Sequence, residues 1–400
     1  MSAFERLPRI AHAVFQRLAV ALKTPRARRA LAAGVPDAAA RVPFVVYFAD
    51  VPSSAYQLRQ WLPPLEALDA ADGPVALLVR NPEVALALSS QTRLAVVFAT
   101  DSATIEQFVS SHDVHLVFYV NNSQSNFTTL RINGPVHVHL SHGESEKSSM
   151  YSNQLKAYDY AFVAGDASAE RIQANVRGID PAHLVRVGRP QLALPEGTDL
   201  RPPAADTRHT VLYAPTWEGD GPRMAYGSLV THGEQLVESL LADPRVRLVF
   251  RPHPKSGSHS SQYGLALARI KRRLATTASR AAGHELDRRI NAVESISRAD
   301  VVVADVSAMA MDALGLDKPL VLCTRAGLET GPLASHVATW AEETPADAAE
   351  RLVELAGNPV SEDQARYRKH VFAAGTPAEA VSLFVEAAVR AAQRGVGGTS

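Results

Sequence analysis

The side chain best suited to acid–base chemistry directly follows an apolar run of the sequence. The run Val136–Leu140 ends in Ser141, His142 and Gly143. Ligands of an open α/β sheet bind beyond the carboxyl ends of its strands, so His142 is expected where a catalytic group would be presented. Its imidazole could accept the proton of an attacking hydroxyl group. We therefore predict that His142 is a general base, and a purely structural histidine is the alternative.

Two further histidines, His137 and His139, occupy alternate positions of the same run. Alternate residues of a strand face one side, so both imidazoles could approach one metal ion. The segment lacks the cysteines or close carboxylates that would complete a zinc site. We expect both to be structural histidines on a half-buried strand, and we expect no metal.

A second cluster, Arg251, His253 and Lys255, follows another apolar run. Proline on both sides of His253 fixes the backbone and removes donors that would continue a strand. A guanidinium, an imidazole and an ammonium group within five residues suit an anion such as a diphosphate. The alternative is a proline-rich surface turn with incidental charge.

A third cluster contains Asp305 and Ser307, at the junction of a buried run and a helical pattern. Ser307 is predicted to cap this helix, and the first N–H groups of the helix could bind a phosphate. Capping without a ligand is the alternative. Thr216 lies in a loop that follows a further run and should reach the same region.

The elements that position these clusters are two series of short apolar runs, which predict two α/β layers with parallel sheets. The first series is Phe44–Phe48, Val75–Val79, Leu94–Phe98, Leu116–Val120, Val136–Leu140 and Tyr160–Val163, and the second is Val211–Ala214, Val246–Phe250, Val301–Ala304 and Leu320–Cys323. A proline-rich stretch between Gly188 and Asp206 predicts an exposed connection. We therefore predict domains over 35–190 and 210–376 with a linker over 191–209, followed by a C-terminal helix and flexible tail over 377–400.

Residues 1–34 depart from the zero net charge of the 400-residue chain. They contain seven Lys or Arg residues and one Glu, a net charge of +6, which leaves 34 positive and 40 negative side chains in the rest. Apolar residues at spacings of three and four predict an amphipathic helix that lies on an anionic membrane surface. The alternative is a helix docked on the protein's own core. We predict no transmembrane segment and no nucleic-acid partner, and the single Cys323 is consistent with a reducing compartment.

Taken in order, five groups of residues resemble the CDP-glycerol glycerophosphotransferases, the teichoic acid primases and polymerases. The groups are His142-Gly143 with Lys147, Gly188-Arg189-Pro190, Tyr213 to Trp217, Arg251 to Pro254, and Asp305-Val306-Ser307 with Lys318-Pro319. The resemblance spans about residues 135–323. The family's Asp-Tyr-Ser-Ser turn falls on Asp305 to Ala308, where this chain has Val306 for Tyr and Ala308 for the second Ser.

This resemblance implies a GT-B-type fold in which an N-terminal acceptor domain and a C-terminal nucleotide-binding domain face each other across a cleft. It implies transfer of glycerol phosphate, or a related polyol phosphate, from a CDP-activated donor to a hydroxyl of a lipid-linked or polymeric acceptor at the cytoplasmic membrane face, with release of CMP and without a cofactor. His142 and His253 are then the catalytic residues. Arg251, Lys255, Asp305, Ser307 and Thr216 would bind the donor, and Gly143, Lys147 and Arg189 would support the site.

Two other functions stay open from the sequence. A GT-B glycosyltransferase or epimerase that uses a nucleotide sugar would share the fold and a phosphate site at a helix start. A membrane-associated scaffold could keep the fold without the chemistry, but the presence of both His142 and His253 argues against it.

Overall fold

The computed structural model describes residues 21–146, 151–194, 197, 198, 200, 207–289 and 291–396. Residues 1–20, which form most of the predicted membrane-surface helix, and the predicted site residue Lys147 lie outside these ranges. The described residues form two α/β layers, each built on a wholly parallel sheet. The prediction of two such layers is therefore confirmed.

The first sheet has seven strands in the order β3-β2-β1-β4-β5-β6-β7. The strands are β1 (Phe44–Phe48), β2 (Val75–Val79), β3 (Ala95–Phe98), β4 (Leu116–Tyr119), β5 (Val136–His139), β6 (Tyr160–Val163) and β7 (Leu184–Arg186). Its helices are α1 (21–31), α2 (Tyr56–Arg59), α3 (Leu62–Ala71), α4 (Pro82–Leu88), α5 (Ser102–Ser111), α6 (Phe127–Leu130) and α7 (Asp166–Asn175). The central strands are buried on both faces, which is why they are continuous apolar runs in the sequence.

The second sheet has six strands in the order β10-β9-β8-β11-β12-β13. The strands are β8 (His209–Ala214), β9 (Val246–Phe250), β10 (Glu285–Leu286), β11 (Val301–Asp305), β12 (Leu320–Thr324) and β13 (Ala338–Ala341). Its helices are α8 (Glu234–Ala242), α9 (Ser261–Leu274), α10 (Thr277–Ala281), α11 (Ala292–Arg298), α12 (Ala308–Gly315), α13 (Ala348–Gly357) and α14 (Glu362–Val371), and a π-helix spans Leu229–Gly233.

The last helix, α15 (Pro377–Val396), packs on the first domain although it follows the second in sequence. Phe384 of α15 is fully buried, and its ring lies 5.3 Å from Trp61 and 5.7 Å from Phe118, measured between centroids. The chain therefore crosses between the domains twice. A shared apolar cluster joins them, in which Ala164 of the first domain packs with residues such as Phe372.

The described end of the predicted basic helix contacts the first domain. Ala27 and Leu31 of α1 are buried in its core, whereas Leu22 is 80% exposed. Lys23 forms an ion pair with Glu83, and Arg28 donates to Thr100 Oγ1 at 3.4 Å. Residues 21–31 are thus docked on the protein's own core. Within the described ranges, no helix has the length and hydrophobicity needed to cross a bilayer.

The connection between the sheets differs from the sequence expectation. An exposed connection is predicted from Gly188 onward, but Arg189, Gln191 and Leu192 are buried. This expectation is wrong for the first part of the connection, because α15 covers that part: Ala374 and Ala380 lie against Gly188. Composition cannot indicate such long-range cover.

Candidate active site

His142 lies on a tight turn that begins where β5 ends. Ser141, the residue before it, has φ 58°, in the left-handed region that non-glycine residues rarely adopt. Two hydrogen bonds hold this conformation: Trp61 Nε1 donates to the Ser141 carbonyl at 2.6 Å, and Ser141 Oγ donates to the Gly143 carbonyl at 3.1 Å. Strained backbone of this kind is found preferentially at functional sites, where its surroundings hold it in place.

The imidazole of His142 is held in a neutral state. Its Nδ1 is shielded from solvent and has no hydrogen-bond partner within the described ranges, and its ring makes an edge contact with Tyr56, with centroids 6.1 Å apart. Burial, together with the positive charges of Arg189 and Lys255, lowers the pKa of His142 to about 4. At neutral pH the ring is therefore unprotonated and able to accept a proton. Lys255 belongs to the second domain, so its charge acts on this ring from across the domain boundary.

Gly143 brings the turn directly against the second domain. A Cβ atom placed on Gly143 would lie 3.3 Å from Ala308 Cβ, the first residue of α12, and 3.9 Å from Arg189 Nη2. A glycine thus allows the His142 turn to approach a helix N-terminus. That terminus carries a partial positive charge, which suits an anion.

Ser307 occupies the N-cap position of α12, but it does not cap the helix. Its hydroxyl donates to the Asp305 carbonyl at 3.0 Å, and its side chain accepts no helix N–H. The predicted capping bond is therefore wrong, because the hydroxyl is turned towards the Asp305 carbonyl, two residues earlier, and its oxygen receives no helix N–H. The first N–H groups of α12 consequently gain no hydrogen bond from Ser307.

Arg189 fixes α12 relative to the first domain. Its Nε donates to Asp312 Oδ1 of α12 at 2.8 Å, and both side chains are nearly fully buried. In the amide orientation that satisfies its neighbours, Gln191 Oε1 accepts from Arg189 Nη1 and Trp61 Nε1, each at 3.1 Å. The same residues that hold the His142 turn thus also hold the start of α12.

Glu146 makes a second contact across the domain boundary. Its carboxylate accepts the N–H of Leu333, at 3.1 Å to Oε2, and the hydroxyl of Tyr367. Burial raises the pKa of Glu146. The segment 143–146 therefore touches the second domain at both ends, which fixes the position of the His142 turn.

Asp305 is a structural anchor of the loop that contains Thr216. Its Oδ2 accepts the N–H groups of Thr216 at 2.6 Å and Ser228 at 3.1 Å, and the residue is fully buried. A buried carboxylate in this position holds loop backbone and would repel a phosphate. The structure therefore places Asp305 and Thr216 together, with Asp305 orienting the loop.

The loop with His253 and Lys255 packs on Trp217. The His253 ring stacks on Trp217 with centroids 6.1 Å apart, and Lys255 Nζ lies 4.9 Å from a Trp217 ring centroid. His253 Nδ1 accepts the N–H of Lys255 at 3.1 Å. This aromatic platform fixes both predicted donor-binding side chains.

Glu218 holds the same loop through its backbone. Its carboxylate accepts the N–H groups of Gly257, His259 and Ser260 at 3.0, 2.8 and 3.1 Å. Burial opposes its ionisation, but these backbone donors outweigh burial and lower the pKa of Glu218. The carboxylate is therefore ionised and binds the loop tightly.

Arg251 contacts groups behind this loop. Its Nη1 donates to Asp287 Oδ2 at 2.7 Å, to the Arg289 carbonyl at 3.1 Å and to Ser295 Oγ at 3.3 Å. Asp287 has no exposed side-chain surface. This arrangement gives Arg251 a role in fixing the end of β9.

The two histidines of β5 are buried, so the strand is more enclosed than the expected half-buried one. His137 bonds Tyr119 Oη at 2.8 Å and the Ile132 carbonyl at 3.0 Å, as expected for a structural histidine. His139 differs, because its Nδ1 has no hydrogen-bond partner in the part of the chain that the structure describes, and burial lowers its pKa to about 3. Among the described residues, no group of three or more His, Cys, Asp or Glu side chains is arranged to hold a metal ion.

The structure therefore brings Gly143 and Arg189 to the start of α12, and the charge of Lys255 acts on the neighbouring His142. Asp305 and Arg251 make contacts that hold loop and strand-end segments. Sequence reasoning gave no role to Tyr56, Trp61 and Glu218, and Trp217 entered only as the last residue of the Tyr213 to Trp217 group. An aromatic and a carboxylate directly after a strand and its Pro-Thr turn were a usable signal for Trp217 and Glu218. Tyr56 and Trp61 lie about 80 residues before His142, and no local signal connects them to it.

The family model for CDP-glycerol:poly(glycerophosphate) glycerophosphotransferase matches residues 106–326, more than half of the chain. No curated protein matches the chain by sequence.

Solved structures with similar folds include the wall teichoic acid polymerase TagF, at 12% identity and a TM-score of 0.54, covering 98% of both chains. A TagF variant soaked with CDPG has a TM-score of 0.56, at 12% identity over 95% of this chain and 99% of that one. A putative UDP-N-acetylglucosamine 2-epimerase from Listeria monocytogenes has a TM-score of 0.57, at 13% identity over 88% of this chain and 97% of that one. These similarities show a GT-B-like fold. With the family match, they establish that the chain belongs to the CDP-glycerol:poly(glycerophosphate) glycerophosphotransferase family and is a transferase of that type.

Proposed function

We propose that the protein transfers glycerol phosphate, or a related polyol phosphate, from CDP-glycerol to a hydroxyl of a lipid-linked or polymeric acceptor and releases CMP. The observation that carries this proposal is the contact between the His142 turn and the start of α12, at Gly143 and Ala308. This contact places the neutral imidazole of His142 close to a helix N-terminus, which favours anions. The family match and the CDPG soak of TagF support CDP-glycerol as the donor.

In the proposed reaction, the acceptor hydroxyl oxygen attacks the phosphorus that carries glycerol. A bond forms between that oxygen and phosphorus, and the bond from phosphorus to the bridging oxygen of CMP breaks. His142 takes the hydroxyl proton, and CMP leaves with the bridging oxygen. Catalysis of such a transfer depends on positioning and on stabilising negative charge. Lys255 and the N–H groups at the start of α12 supply positive charge to the diphosphate, and His253, whose Nδ1 accepts the N–H of Lys255, can donate a hydrogen bond to it through Nε2.

The experiment is CMP release by the full chain from CDP-glycerol with a short glycerophosphate oligomer on a lipid-linked saccharide. We expect His142→Ala to lower kcat at least 100-fold while CDP still binds, because general base catalysis contributes about 10²–10⁴-fold. His183→Ala is the matched control, since His183 is exposed and precedes β7, at the opposite edge of the sheet. Turnover of His142→Ala within tenfold of the wild type would refute the role of His142. If the protein releases UDP from a UDP-sugar and no CMP from CDP-glycerol, it is a glycosyltransferase or epimerase and the proposed function is wrong.

The proposal also places the protein at the cytoplasmic face of the membrane, bound to anionic lipid through residues 1–34. Because α1 is packed on the first domain, deleting the whole segment would remove core residues Ala27 and Leu31. The better test replaces Arg6, Arg9 and Arg17 by Gln and measures flotation with phosphatidylglycerol vesicles. Each cation near an anionic surface contributes about 1 kcal/mol, so binding should fall by about two orders of magnitude. Unchanged flotation would contradict the proposal that residues 1–34 bind anionic lipid.

A further inference from the structure

A polar cluster of Asp50, Asn121 and Gln57 lies beside His142. Asp50 follows β1 by two residues, Asn121 follows β4 by two residues, and Gln57 lies on α2. Asn121 Nδ2 donates to Asp50 Oδ2 at 2.6 Å and to Gln57 Oε1 at 2.9 Å. Asn121 is buried, while Asp50 and Gln57 keep part of their surface exposed. The buried Asn121 thus holds the side chains of Asp50 and Gln57 in place, and these two side chains remain partly accessible to solvent.

The sheet topology places this cluster next to His142. β1, β4 and β5 are neighbouring parallel strands, so their carboxyl ends lie together at one edge. Tyr56 connects the two features directly. Its ring makes the edge contact with the His142 imidazole, and its hydroxyl is hydrogen-bonded to the side chain of Gln57.

Asp50 has hydrogen-bonding capacity to spare. An ionised carboxylate offers about four acceptor positions, and among the described residues its hydrogen-bond partner is Asn121. Asp101, also just after a strand, instead accepts the N–H of Thr104 and caps α5. Asp50 begins no helix in this way. Its open carboxylate oxygen is therefore available to a hydroxyl group.

Charge identifies which substrate this cluster suits. A carboxylate repels a diphosphate. Among the described residues, the cations whose charges act on His142 are Arg189, in the connection after β7, and Lys255, in the second domain. A neutral polyol or saccharide presents hydroxyl donors that an Asp carboxylate and a Gln amide accept. Exposed apolar side chains, Val51 and Phe127, lie on the same two strand-end segments and offer contact for C–H faces.

We propose that Asp50, Gln57 and Asn121 form the subsite for the acceptor, binding hydroxyl groups of its terminal polyol or sugar unit. In this arrangement they hold the reacting hydroxyl beside His142, and Tyr56 positions the imidazole. The inference rests on the proposed function, since it names where that reaction's acceptor binds. It predicts that the subsite selects the acceptor and leaves donor binding unaffected.

The test is Asp50→Asn, which keeps the shape and the bond from Asn121 but removes the charge. We expect KM for the glycerophosphate oligomer to rise at least tenfold, with KM for CDP-glycerol changed by less than twofold. Gln57→Glu, which places a second carboxylate beside Asp50, should also raise the acceptor KM. Asp113→Asn is the matched control, because Asp113 precedes β4 at the opposite sheet edge and its φ of 50° suits Asn. Thermal melting of all variants checks that they fold.

Direct binding separates this inference from the proposed function. Isothermal titration calorimetry of the full chain with the glycerophosphate oligomer alone should show binding by the wild type. Binding by Asp50→Asn should be at least tenfold weaker. Equal affinity of the two proteins, or no binding by the wild type, overturns the acceptor subsite even if CMP is released from CDP-glycerol. If oligomer binding depends on Asp50 but no CMP is released from CDP-glycerol, the acceptor subsite is upheld and CDP-glycerol is refuted as the donor.

Discussion

Arg189 and Asp312 form a buried ion pair between the two domains, with Arg189 Nε 2.8 Å from Asp312 Oδ1 and side chains only 6% and 5% exposed. Arg189 follows the last strand of the first sheet, and Asp312 lies on α12, whose N-terminus faces His142. The pair therefore fixes the helix that the proposal assigns to phosphate binding. It also brings a positive charge close to the imidazole.

Asp312→Ala should lower the free energy of unfolding by about 3–5 kcal/mol, because it leaves the Arg189 charge buried without a partner. Urea denaturation followed by tryptophan fluorescence measures this change. Asp347→Ala is the control, since its pair with Arg351 is about half exposed and such pairs contribute about 0–1 kcal/mol. Equal losses in the two variants would show that the Arg189–Asp312 pair does not stabilise the domain contact.

Lys255→Met should raise the pKa of His142 above about 4, because it removes one of the positive charges that disfavour the imidazolium. An NMR titration of the His142 ring, assigned with His142→Asn, reports the shift in the substrate-free protein. Lys271→Met, on the exposed face of α9, is the control and should leave the pKa unchanged. A fall in the pKa, or the same shift in both variants, would contradict the effect of Lys255.

The same electrostatics predicts a pH dependence of turnover. A bound diphosphate offsets the charges of Arg189 and Lys255, so it should raise the pKa of His142. Since kcat/KM reports the free enzyme and kcat the substrate complex, the acidic limb of kcat should lie at higher pH than that of kcat/KM. Coincident limbs would indicate that the diphosphate binds elsewhere.

Gly143→Ala should lower kcat about tenfold or more. The added Cβ atom would lie 3.3 Å from Ala308 Cβ, so the His142 turn and α12 must move apart by a few tenths of an ångström. Misplacement of reacting groups by about 1 Å can cost 10²-fold in rate. Gly357→Ala, where nothing lies within 4 Å of the new atom, is the control for the substitution itself. Wild-type kcat in Gly143→Ala would show that the close approach is not needed.

Glu218→Gln should raise KM for CDP-glycerol about tenfold, because glutamine keeps one acceptor oxygen and places an NH2 donor against a loop N–H that a carboxylate oxygen now accepts. The loop with His253 and Lys255 would then lose its fixed position. Asp220→Asn, at an exposed neighbouring carboxylate, should change KM by less than twofold. Steady-state kinetics at saturating acceptor gives both KM values. An unchanged KM in Glu218→Gln would show that the position of this loop does not affect donor binding.

His139 should make the protein less stable in mild acid. Burial lowers the pKa of His139 to about 3, so the unfolded chain binds this proton at a higher pH than the folded one. Stability from the neutral ring is complete above pH 6.5 and is lost as the pH falls towards 3. Between pH 7.5 and pH 5 the loss is about 2 kcal/mol. His139→Asn should show a correspondingly smaller fall in unfolding free energy, and an equal fall would contradict this assignment.

The sequence predicts ten of the strands to within about two residues at each end, because strands buried on both faces are unbroken apolar runs. The three strands without a matching prediction, Leu184–Arg186, Glu285–Leu286 and Ala338–Ala341, each lie at a sheet edge. They are short, and Ala338–Ala341 has one buried residue. Edge strands need no long apolar run, so hydrophobicity alone does not reveal them.

The sequence indicates which polar side chains follow a strand, as His142 follows β5 and Arg251 follows β9. It does not indicate which neighbours those side chains contact. Arg251 looked suited to a diphosphate, but its partner Asp287 comes 36 residues later. Asp305 likewise binds the N–H of Thr216 from 89 residues away. Only the folded chain shows which charges are already used.

The return of α15 to the first domain determines how the two domains can move. The chain passes between them at Gly188 and again near Ala374, and a Cβ atom on Gly188 would lie only 2.9 Å from Ala374 Cβ. The two crossings therefore touch. A rotation of one domain against the other would have to bend both segments at this one place, so the two connections constrain the relative position of His142 and α12 more than a single linker would.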